Sequence, residues 1–68
     1  MGLWLVRATW PGDEAELTEQ WEVNAPTAAD ALTQVVRLLS AKPHHAEVKL
    51  VSDDVDPSLR RGQARRLL

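Results

Sequence analysis

Three groups of side chains in this 68-residue chain have types suited to chemistry. His44 and His45 are its two imidazoles; Asp53, Asp54 and Asp56 cluster before Pro57; Arg60, Arg61, Arg65 and Arg66 form two basic pairs near the C-terminus. Adjacent residues of an extended segment point to opposite faces, so the histidine pair does not offer two ligands to one metal. Ser40 precedes His44 by four positions, which alone does not make an oriented nucleophile and base. Three carboxylates suit a hard cation. Their spacing is not that of a calcium-binding loop, and no glycine supplies the turn. A solvated strand end, or a cap for the tail, is the plainer reading. Trp4, Trp10 and Trp21 would suit stacking on a base or a sugar, but a small domain without Phe or Tyr needs them as core. The arginine pairs fit phosphate, an acidic groove on a partner, or the acidic loop Asp13–Glu19 of another copy.

Composition removes other routes. Without cysteine there is no disulfide and no thiolate metal site, and a structural zinc is not expected from two histidines. Neither cofactor nor metal is expected. The charge is segregated. Residues 1–34 hold Arg7 against six carboxylates, a net −5; residues 35–68 hold seven basic against four acidic side chains, a net +3. Such asymmetry can orient a partner, but it does not make a strongly basic nucleic-acid binder. Leu3-Trp4-Leu5-Val6 is too short for a signal-peptide core and lacks a basic start. Val6 stands where a myristoylation motif wants Ser or Thr. No apolar run reaches membrane-spanning length. The expectation is a cytoplasmic protein with no membrane contact.

The elements that must position these groups follow from periodicity. Leu3–Trp10 alternates, with Trp4, Val6, Ala8 and Trp10 on one face and Leu3, Leu5, Arg7 and Thr9 on the other. Pro11-Gly12-Asp13-Glu14 is a turn. Leu17–Ala25 alternates again: Leu17, Trp21, Val23 and Ala25 share a face that Glu19 interrupts, and Thr18, Gln20, Glu22 and Asn24 form a wet one. Thr27 is placed to cap a helix over Thr27–Ala41, with Asp30 completing a variant capping box. Its stripe is Ala28, Leu32, Val35 and Leu39, flanked by Ala31 and Val36. Lys42-Pro43 stops it. Ala46–Val51 supplies a third strand.

This order predicts an α+β, two-layer ββαβ domain over residues 1–54: a three-stranded sheet in order 2-1-3 with one helix on one face. Residues 55–68 are expected as a flexible basic C-terminal tail. A right-handed crossover makes strand 3 run parallel to strand 2, with strand 1 antiparallel between them. The helix then covers the tryptophans. The outer face keeps Leu3, Leu5 and Val51 in a polar surround with Arg7 and Lys49, which marks an interface.

The run Val6-Arg7, Trp21-Glu22-Val23-Asn24-Ala25, Ala29-Asp30-Ala31 and Leu39-Ser40 resembles the archaeal ribosomal protein LX family over roughly residues 3–51. That resemblance implies ribosomal RNA binding through a basic surface. Residues 1–54 are net acidic instead, so the likeness extends to element order alone. The expected function is a non-enzymatic protein-interaction module working through its outer sheet face, a sheet edge or its tail. Its contacts are expected at Leu3, Leu5, Arg7, Lys49, Val51, Arg60, Arg61, Arg65 and Arg66, with a protein partner or a second copy as a homodimer. The alternative is a nucleic-acid-binding accessory factor led by the four tail arginines.

Overall fold

The computed structural model of the chain describes residues 1–60 and 63–67. Among them are four strands and one helix: β1 Gly2–Trp10, β2 Leu17–Ala25, α1 Ala28–Val36, β3 His45–Ser52 and β4 Ala64–Arg66. The sheet order is β3-β1-β2-β4, and every neighbouring pair is antiparallel. The expected 2-1-3 arrangement is therefore present, and β2 and β3 run in the same direction without touching. The expected count of three strands is corrected to four. Part of the expected flexible tail forms β4 against the outer edge of β2, pairing Trp21, Glu22 and Val23 with Arg66, Arg65 and Ala64. The Leu67 N–H donates to the Gln20 carbonyl at 2.6 Å and prolongs the contact. Pairing there covers an edge that would otherwise present bare backbone groups. Three residues, two of them arginine, carry too little alternation to read as a strand.

The helix-facing layer follows the parity of the strands. Val6, Val23, Ala25, Ala31 and Val35 are fully buried together, with Trp4, Trp21, Leu32, Leu39, Val48 and Ala64 packed against them. Trp10 shares the parity of Trp4 but is not among these residues. Its indole N–H donates to the Lys42 carbonyl at 3.1 Å and its ring lines a surface cleft with Leu17 and Arg66. The expectation of three core tryptophans thus holds for two, because Trp10 lies at the end of β1 beside the exposed hairpin. Glu19, the break in the apolar face of β2, accepts from the Trp21 indole at 3.2 Å. An indole N–H in a packed layer needs such a partner.

Thr27 caps α1, its hydroxyl accepting from the Asp30 N–H at 3.2 Å. The helix ends at Val36, five residues short of the expected boundary. Leu38 and Leu39 donate to the carbonyls three residues back, Val35 and Val36, and this tighter winding closes the helix. It lets Leu39 turn onto the core. Ala31 and Val35 are buried and Leu32 and Leu39 pack against them, so the expected stripe faces the core; of its two flanks Ala31 is buried and Val36 exposed. At the hairpin, a Cβ on Gly12 would collide with the Ala15 carbonyl, so the turn has space only for glycine.

Candidate interaction edge and clamped outer face

The outer face reads as rows across the strands. Ser52, Leu3 and Asn24 form one; Lys49, Leu5, Glu22 and Arg65 the next; Glu47, Arg7 and Gln20 the third. The first two rows are partly covered. Asp56-Pro57-Ser58-Leu59 makes a turn, closed by the Leu59 N–H on the Asp56 carbonyl at 3.1 Å, with Asp first and Pro second as that turn prefers. Asn24 holds it to the sheet. Its amide donates to the carbonyls of Asp56 at 2.9 Å and Leu59 at 2.7 Å, and its oxygen accepts from the Asp56 N–H at 3.0 Å. Asn24 is 3% exposed and Leu59 8%. The wet position expected at Asn24 is therefore corrected: a chain segment lies over it.

Arg65 completes the clamp. It donates to Glu22 from Nε and Nη2 at 3.2 and 2.7 Å, to Asp56 Oδ2 at 2.6 Å and to the Ser58 hydroxyl at 3.1 Å. Asp56 also accepts from the Ser58 hydroxyl and N–H, at 2.7 and 2.9 Å. The Ser58 hydroxyl first, and Arg65 next, favour the charged carboxylate and pull the Asp56 pKa from 3.8 down to about 2. Hydrogen bonds to Asp56 first, and to Glu22 next, raise the pKa of Arg65. A folded-state pKa below the unfolded one gives a stabilisation that is complete above pH 3.8 and is lost as the pH falls through 2. Acid titration of the fold should show a loss of stability in that window, and Asp56→Asn should flatten it. An identical acid profile for the variant would contradict the clamp.

The residues expected to bind partners are thus sorted. Leu3 is 8% exposed and so is not part of an open face, a correction caused by the covering of its row. Arg65 is committed to three side chains. Arg66 points its Nε at Glu19, 3.7 Å away. Arg60 is exposed, and Arg61 lies outside the described residues. Leu5 is half-buried, while Arg7, Lys49 and Val51 are exposed. Val51 has no partner on β1: the register shifts beside it, so it is the extra residue of a bulge.

What remains open is β3 itself. It ends the sheet order, and among the described residues no other segment gives its outward edge a backbone hydrogen bond. Leu50 and Val51 stand exposed along it, at 43% and 51%. It contains no proline. A strand edge of this length is a template for adding another strand.

The catalytic candidates do not converge. His44 and His45 line an open cleft of about 400 Å³ on the outer face with Arg7, Thr9, Glu16, Thr18 and Glu47, and His45 Nε2 lies 3.2 Å from Glu47 Oε1. Ser40 lines the other cleft, beside Trp10 and Leu17. Among the described residues no group of three or more His, Cys, Asp or Glu side chains is placed to hold a metal. No described helix is long and apolar enough to cross a membrane. Comparison with protein families, with curated proteins and with solved structures finds no match.

Asn24 and Ser58 carry no expectation as structural groups, while Asp56 fits the expected cap for the tail, its carboxylate accepting from the Ser58 N–H. The Asp-Pro-Ser run followed by a lone Leu59 was the available signal, since it spells a turn with an apolar anchor.

Proposed function

We propose that the chain is a non-enzymatic protein-interaction module that takes up an extended segment along β3, aided by the exposed side chains Leu50, Val51, Lys49 and Arg7. The observation that carries this reading is the unpaired outward edge of an eight-residue strand flanked by exposed apolar residues. Backbone pairing supplies affinity in this mode, and the alternate side chains supply selectivity. The nucleic-acid alternative is weakened by the use of Arg65 inside the clamp, because a guanidinium held by two carboxylates has less to offer a phosphate. Capture from the native host with the chain as bait tests the two readings. A partner that survives nuclease and high salt, and is lost with Leu50→Lys or Val51→Lys, supports strand addition. Nucleic acid released steeply by salt, unaffected by those changes, overturns it.

A further inference from the structure

We propose, resting on the strand-addition reading, that the segment β3 takes up is β3 of a second copy, antiparallel and centred on Val48. A two-fold axis normal to the sheet joins two identical strands so that residues on one face meet residues on the same face, and the contact is isologous. Centring on Val48 sets Glu47 of each copy opposite Lys49 of the other, twice, on the outer face. It sets Ala46 opposite Leu50, twice, on the helix face, where Leu50 is otherwise 43% exposed. Shifting the centre to Glu47 places that carboxylate opposite itself, and shifting it to Lys49 does the same with the ammonium. Like charges directly opposite are unfavourable and unlike charges favourable, so the charge pattern selects the Val48 register over both neighbours.

The local structure agrees with this register. The stretch from His45 to Leu50 pairs regularly with β1, and the irregularity at Val51 falls at its far end. A bulge twists a strand away from straight pairing, so it ends the joint ladder and leaves its centre regular. Glu47 and Lys49 are both exposed. His45 contacts Glu47 from the same strand, and Arg7 lies across from it on β1; these are the other titratable or charged groups beside the pair. The product is a continuous sheet of two four-stranded halves, with both helices on one side and β3 no longer an edge.

A charge-exchange experiment reads the register. Sedimentation equilibrium at micromolar to submillimolar concentration should give a dimer for the wild-type chain. Glu47→Lys alone places four cationic side chains at the centre, and Lys49→Glu alone places four carboxylates there. Each should weaken dimerisation about tenfold or more. Mixing the two variants restores opposite charges at both positions, and a one-to-one heterodimer should form. The double exchange E47K/K49E should dimerise like the wild type. A wild-type monomer throughout the range overturns the proposal, as does a mixture that fails to associate while each component keeps its native circular dichroism. If the single variants lose their fold, the wild-type and double-exchange states decide alone. A monomer whose β3 nevertheless binds a foreign segment would leave strand addition standing and remove only the self-pairing.

Discussion

Trp4→Ala is expected to destabilise the chain by about 3–5 kcal/mol, enough to unfold much of the population. Trp4 sits mid-sheet on β1, between Val23 of β2 and Leu50 of β3, and packs against the buried cluster under α1. The fully buried side chains of that cluster are valines and alanines, too short to refill the space an indole leaves. Its indole donates to the Ala25 carbonyl at 2.8 Å, which ties the end of β2 to the start of β1. A domain of this size without a disulfide or metal has a thin margin. Trp4→Phe should keep most of the packing and lose about 1 kcal/mol for the missing donor. Urea unfolding followed by circular dichroism separates the two. A Trp4→Ala chain as stable as the wild type would mean that the sheet–helix layer is not the main source of stability.

Asn24→Ala should cost about 2–4 kcal/mol, because it leaves the Leu59 carbonyl and the Asp56 N–H of a covered turn without partners and takes one of two donors from the Asp56 carbonyl. The loss differs in kind from that at Trp4. It should free the Asp56–Leu59 turn and β4 first, so that the β4 amides exchange faster at a denaturant concentration where β1 and β2 remain protected. Asn24→Asp removes both donors, keeps an acceptor for the Asp56 N–H and adds a carboxylate, and should be at least as damaging. An Asn24→Ala chain that unfolds with unchanged midpoint and unchanged β4 exchange would show that residues 56–59 do not depend on this amide.

How much of this was legible in the sequence depends on the element. β1 and β2 were readable because alternation over Leu3–Trp10 and Leu17–Ala25 assigns their faces and, apart from Gly2 at the start of β1, their boundaries. Thr27 was readable as a cap because its hydroxyl is three residues from the amide it serves. The helix end was not, since Leu38 and Leu39 continue the apolar spacing while the backbone tightens beneath them. The clamp was least legible. Asn24 looks like any polar residue on a wet face until a segment more than thirty residues later supplies its partners. Arg65 reads as a solvated charge until β4 brings it beside Glu22. Long-range pairing of polar groups leaves no periodic trace, whereas burial of apolar ones does. The edge character of β3 follows from strand order, which the right-handed crossover made readable.

Under the proposed strand addition, the outward edge of β3 is open in the single chain and closes when a strand is added. Amide hydrogen exchange resolved residue by residue reads both states of that edge. In a dilute solution, alternate β3 amides, those turned away from β1, should exchange close to the rate of unstructured chain while their neighbours are protected. Once the strand partner is present, whether a second copy at high concentration or a captured protein, the fast set should slow to match. Protection of every β3 amide in the dilute chain, or a fast set that stays fast in the complex, would contradict the account.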